Sequence, residues 1–245
     1  MLVKKHQPRR IDMISRIAII ILVLVVALGC QFSMLPQEFM STEPDMPPTD
    51  FSKTEINRTS DGAFILGNVD APITVVVFFD YACPHCQDYH PTVSEFIEEF
   101  VVTGQARLEY RVQAFLGADS TKYAQLVECA PIVAGDDGVF PVANNLLFSY
   151  INNGRLSGDE ALAQLAIDLD LSEASLAECL ITADQYMTNI AFARQTGLSG
   201  VPAVRILLGT FVETDGQTPQ PISPSYTSGA VDIGILRATV ENAQP

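Results

Sequence analysis

Residues 73–79, ITVVVFF, form an unbroken run of β-branched and aromatic side chains. Such a run lacks the alternation of a half-exposed strand and fits one covered on both faces. Just beyond it, in the stretch FFDYACPHCQDYH, stand Cys83 and Cys86. Further on, Val93, Phe96, Ile97, Phe100 and Val101 recur at helical spacing. A buried strand therefore passes into a helix within DYACPHC, and both cysteines fall at the helix N-terminus. Pro84 suits the first helical turn, where a missing N–H is no loss. Pro91 lies inside the same helix, where it should introduce a kink.

That placement has a chemical consequence. The thiolate is the reactive form of cysteine, and the unpaired N–H groups of a helix N-terminus stabilise negative charge. Cys83, the first at that terminus, should be the more exposed sulfur and the one favoured as thiolate. Cys86, one turn on, should lie beneath it within disulfide reach. His85 adds an N–H donor or a positive charge. Stabilising the thiolate stabilises the reduced pair, which makes the disulfide a stronger oxidant. A metal site is the rival reading, with Cys83, Cys86 and His90 as ligands. A structural zinc site takes four ligands, however, and the chain has no second CxxC and no His-x-His pair. A purely structural Cys83–Cys86 bridge would close too small a loop to constrain the unfolded chain much.

The remaining elements surround this one. Residues 106–113, ARLEYRVQ, alternate like a second strand, and VPAVRILL at 201–208 reads as a third. Roughly ninety residues separate them, far beyond an ordinary connection, so a helical subdomain is inserted at about 117–196. Within it, Ser157 with Glu160 and Thr182 with Gln185 have capping-box spacing, and Gly197 suits a helix stop. Residues 211–229 read as an irregular loop, and 231–241 as a last amphipathic helix through Ile233, Leu236 and Val240. Strands and helices in this order make an α/β fold, a sheet with helices packed on it.

The N-terminus carries the address. MLVKKHQPRR is basic, and residues 17–29, IAIIILVLVVALG, are apolar without a break. Thirteen residues suit an export signal better than a spanning helix of about 20, although extension through Leu35 would make a marginal anchor. Ala27-Leu28-Gly29-Cys30 resembles a bacterial lipoprotein signal, which would make Cys30 a lipidation site; otherwise Cys30 is a small residue in a membrane helix. In either case the basic end stays cytoplasmic and the rest lies outside. Residues 31–60, rich in Pro, Ser, Thr and acids, read as a flexible tether, with folding beginning near Asp61. Beyond residue 30 the chain keeps 9 basic and 28 acidic residues, a balance that excludes a nucleic-acid partner.

Three stretches carry a family resemblance: LGNVDAPITVVVFFDYACPHC (66–86), SGVPAV (199–204), and the helical block between the strands. Together they resemble the DsbA-like thiol:disulfide oxidoreductases of the thioredoxin superfamily, over roughly residues 61–245. The resemblance implies a thioredoxin-like fold with an inserted helical subdomain. It implies that Cys83 exchanges with substrate, that Cys86 resolves the mixed disulfide, and that Pro84 and His85 complete the active-site dipeptide. It implies a cis Pro202 shielding the sulfurs and a Val201 backbone that bonds a substrate strand. Cys129 and Cys179 read by themselves as two buried thiols or as a bridge, and some family members resemble the bridged arrangement, which implies a structural Cys129–Cys179 disulfide. The function implied is extracytoplasmic introduction of disulfides into unfolded exported proteins. No cofactor is expected beyond the cysteines, and a membrane quinone-linked partner of the DsbB or vitamin K epoxide reductase type is expected to reoxidise them. A disulfide reductase or isomerase, or a non-catalytic peptide-binding module, are the alternatives.

Overall fold

The computed structural model describes residues 50–208 and 227–243. The export segment, Cys30, the tether before residue 50 and most of the 211–229 stretch lie outside the described residues. Six strands form one sheet: β1 (Ile56–Arg58), β2 (Phe64–Leu66), β3 (Ile73–Phe79), β4 (Arg107–Val112), β5 (Ala203–Leu208) and β6 (Thr227–Ser228). Their order is β1-β2-β4-β3-β5-β6. β3 runs parallel to β4 and antiparallel to β5, with Val77 opposite Tyr110 on one side and Val204 on the other. Such a parallel pair requires a crossover. Helix α1 (Pro84–Phe96) supplies it, extended by a π-helical turn at Ile97–Val101.

The central strand lacks alternation because it feeds two cores. Val75, Val77 and Phe79 pack with α1 and with Phe140, Leu147 and Phe148 of the insert. Val76 and Phe78 point the other way, towards Ala193, Ala203 and Leu207. All seven residues of β3 are buried, and each large apolar side chain so enclosed contributes roughly 1.5–3 kcal/mol.

Between β4 and β5 the chain forms five helices: α2 (Ala118–Ala134), α3 (Val139–Gly154), α4 (Gly158–Asp168), α5 (Glu173–Cys179) and α6 (Gln185–Gln195). A last helix, α7 (Ile233–Ala243), buries Leu236 and Val240 and is tied to α1 by Arg237, which pairs with Glu95 and Glu99. The architecture is a thioredoxin-like α/β fold with a helical insertion.

Several expectations need correction. The sheet begins at Ile56, inside the stretch read as a tether: β1 and β2 form a hairpin around the Asp61-Gly62 turn, where Gly62 has φ 91°, a left-handed value that suits glycine. β4 is covered on both faces. Its polar residues are buried, with Arg111 bonded to Glu109 at 2.5 Å and to Asp61 at 2.6 Å, and with its guanidinium over the Phe192 ring of α6. The polar alternation reflects an enclosed ion network under α6. Ser157 and Glu160 do form a reciprocal capping box. Thr182 and Gln185 do not: α6 starts after Asp184, and Gln185 instead reaches Asp61 O at 2.8 Å. Residues 227–228, read as loop, pair with β5 as β6.

Candidate active site

β3 ends at Phe79, and the chain turns through Asp80, Tyr81 and Ala82 into α1. The turn is closed by Cys83 N–H donating to Asp80 O at 3.0 Å. Cys83 is the N-cap residue, with extended backbone at φ −81° and ψ 117°, and Pro84 opens the helix. The N–H groups of Cys86 and Gln87 both donate to Cys83 O, at 3.0 and 3.1 Å, so the cysteine backbone is held by the first turn. Pro91 is carried within α1, and the π-helical turn begins beyond it, at Ile97.

The two sulfurs are unlike. Cys83 is 7% exposed and Cys86 2%, so Cys83 is the more accessible. Burial pushes the Cys86 thiol far above the ordinary range; a hydrogen bond from the Asp80 backbone opposes this, while the neighbouring Cys83 and the Asp80 charge add to it. The pair is close enough for a hydrogen bond between the side chains. Above them, the Val201–Pro202 peptide bond is cis, and the Cys83 thiol donates to Val201 O at 3.7 Å. Pro202 is buried, and its carbonyl accepts from Gly229 N–H at 2.8 Å. His85 is exposed and, with Val201 and Pro202, lines an open groove.

Asp80, which follows directly on β3, is the clamp of the site. Fully buried, it accepts from Ala82 N–H at 2.9 Å, from Phe115 N–H at 3.0 Å and from the Ser120 hydroxyl at 2.6 Å. This carboxylate therefore fixes the cysteine turn against the start of the insert. Tyr81 adds a second tie, donating to Asn144 Oδ1 of α3 at 2.7 Å.

The His90 ring stacks on Phe148, centroids 4.0 Å apart. No group of three or more His, Cys, Asp or Glu side chains among the described residues is arranged to hold a metal ion. Burial lowers the His90 pKa to about 4, from an ordinary 6.5. The folded pKa is depressed, so unfolding takes up a proton between these values, and stability is lost as pH falls below 6.5. Allowing for the ring's partial exposure, His90 should cost about 1–2 kcal/mol between pH 7 and pH 5. His90→Phe, which can keep the stack, should recover that part of the difference in denaturant midpoint. Equal acid losses in both proteins would refute the assignment.

Cys129 and Cys179 are bonded in the structure, with Cα atoms 5.8 Å apart. The bridge joins α2 to α5 in a small core of its own with Ala166, Leu176 and Ala183. No helix among the described residues is long and apolar enough to cross a membrane.

The fold resembles those of known proteins. The Thioredoxin family model matches residues 59–217. A thioredoxin-like oxidoreductase from Silicibacter pomeroyi superposes with a TM-score of 0.58 at 22% identity, over 76% of this chain and 93% of that one. Alpha-DsbA1 of Wolbachia pipientis gives 0.60 at 19% identity, over 73% and 89%. A periplasmic thioredoxin-like protein from Salmonella enterica serovar Typhimurium gives 0.52 at 20%, over 73% and 88%. In sequence, 117 residues are 31% identical to part of the Na(+)/H(+) antiporter NhaA 1 of Salinispora arenicola, covering 46% of this chain but only 17% of that protein.

Proposed function

This chain belongs to the thioredoxin family of thiol–disulfide exchange proteins, and from that premise we propose that it introduces disulfide bonds into exported proteins at the outer face of the cell membrane. The observation that carries this reading is the asymmetric sulfur pair at the N-terminus of α1, facing the cis Val201–Pro202 peptide. In the oxidised protein, a substrate thiolate attacks Cys83 Sγ. The Cys83–Cys86 bond breaks, and Cys86 leaves with the electron pair as a thiolate that takes up a proton. A second substrate thiolate then attacks the substrate sulfur of the mixed disulfide and expels Cys83. Two electrons and two protons pass from the substrate dithiol to the enzyme pair, with no further cofactor. Pro202 shields the mixed disulfide from water, Val201 offers its backbone to the bound segment, and His85 stands by the accepting sulfur. A membrane quinone-linked protein of the DsbB or vitamin K epoxide reductase type takes the electrons onward.

The basic and apolar N-terminal segment supports a membrane-tethered, extracytoplasmic place, whether Cys30 is lipidated or lies in an anchor. The similarity to a periplasmic protein and to part of an antiporter favours the same place. The direction of exchange is tested by equilibrating the Cys83–Cys86 pair with a glutathione redox buffer. A readily reduced pair supports the oxidant, and a pair resistant to reduction supports the reductase or isomerase instead.

A further inference from the structure

Beside Cys86, inside the protein, lies a cavity of about 10 Å³, roughly the space of one water molecule. Cys86 and His90 of α1 both line it, with Tyr89, Tyr110 of β4 and Phe148 of α3, and the remaining walls are apolar. Cys86 and His90 are four residues apart on α1, the spacing that sets two side chains next to each other on one helix face. Cys86 is sealed at 2% exposed, whereas His90 is half-buried, so His90 borders both the cavity and the solvent. Its ring is held by the stack on Phe148, and neither ring nitrogen has a hydrogen bond among the described residues. Burial keeps the ring neutral at pH 7, which leaves it one donor and one acceptor nitrogen. No Asp, Glu, Lys or Arg lines the cavity. Burial keeps the two phenols protonated, and that of Tyr89 is engaged by the Val231 backbone. The Asp80 charge bears on Cys86 from the end of β3, but its oxygens already accept three hydrogen bonds.

We propose that His90 is the proton route of the buried sulfur. Cys86 is here the sulfur released when Cys83 is attacked, the exchange role on which this inference rests. As the Cys83–Cys86 bond breaks, Cys86 keeps the bonding electron pair. The donor nitrogen of His90 passes its proton across the cavity to that thiolate, while the other nitrogen takes one from solvent. The sulfur ends as a thiol, the ring ends neutral in its second tautomer, and one proton has been taken up. When Cys86 later gives up its proton to re-form the disulfide, the same path runs backwards and restores the first tautomer. A thiolate left unpaired in an apolar interior is costly, so a proton delivered at the moment of release lowers the barrier to opening. Histidine suits such a shuttle because its two nitrogens exchange roles near neutral pH. His90 meets no substrate atom and acts only through Cys86.

The test measures how fast dithiothreitol opens the disulfide of the oxidised full-length protein at pH 7. His90→Phe keeps the stack but has no proton to pass, and it should slow opening roughly 100-fold. His90→Gln gives up the stack but keeps a donor and an acceptor, and it should lose less than His90→Phe. A ring that only packs predicts the reverse order, with Phe close to the natural rate and Gln slow, and that order overturns the proposal. A second measurement isolates Cys86. In Cys86→Ala protein carrying glutathione on Cys83, dithiothreitol clears the adduct without any part played by Cys86, and adding His90→Phe should barely change that rate. Slowing there by the same factor as in the oxidised protein shows a general disturbance around Cys83; it overturns the relay and leaves exchange at Cys83 standing. If acid quenching finds dithiothreitol attached first to Cys86, the exchange roles themselves are refuted, and the relay with them.

Discussion

Incubated with oxidised glutathione, Cys86→Ala protein should accumulate a glutathione adduct on Cys83 that persists, whereas Cys83→Ser should form almost none. The first outcome follows from proximity. Cys86 lies one helical turn from Cys83 and close enough to hydrogen-bond with it. It therefore resolves a mixed disulfide as an intramolecular nucleophile, and effective molarities for such arrangements greatly exceed the concentration of any thiol in solution. Removing it should slow resolution by roughly a thousandfold or more at millimolar glutathione. The second outcome follows from burial. Cys86 is 2% exposed and its thiol is held protonated by its surroundings, so it offers little thiolate for attack and little room for a partner. Mass spectrometry of the intact protein and its peptides locates the adduct. A comparable adduct on Cys86 in Cys83→Ser would reverse the assigned roles.

Replacing the insert bridge, as Cys129→Ala/Cys179→Ala, should cost about 4 kcal/mol in denaturant unfolding. The bonded residues are 50 apart in sequence, and opening a loop of that length returns substantial entropy to the unfolded chain. Against a typical domain stability of about 5–15 kcal/mol, the loss is large. Glutathione adduct formation at Cys83 should nevertheless persist under native conditions, because the bridge joins α2 to α5 in a core separate from α1. A loss below about 1 kcal/mol would show that native packing, not loop closure, holds this insert.

The active-site strand and helix were legible because β3, Cys83 and α1 are contiguous, and each carries a strong local signal. The β1–β2 hairpin was not. Its strands are three residues each, too short for periodicity, and the Asp61-Gly62 pair, the one turn signal, fell at the edge of a stretch whose polar composition suggested a tether. Composition also misled at β4, where charged residues that would ordinarily face water are paired under α6. The cis bond at Pro202 was implied by family resemblance alone, since most X-Pro bonds are trans. The role of Asp80 could not be read. Two of its partners, Phe115 and Ser120, are 35 and 40 residues away, and only folding brings them to one carboxylate.

The equilibrium reduction potential of the Cys83–Cys86 pair tests the oxidant reading most directly. Each tenfold change in the exchange constant is about 30 mV. The account predicts a value more oxidising than about −180 mV, towards the roughly −120 mV of DsbA; a value near the roughly −270 mV of thioredoxin would contradict it.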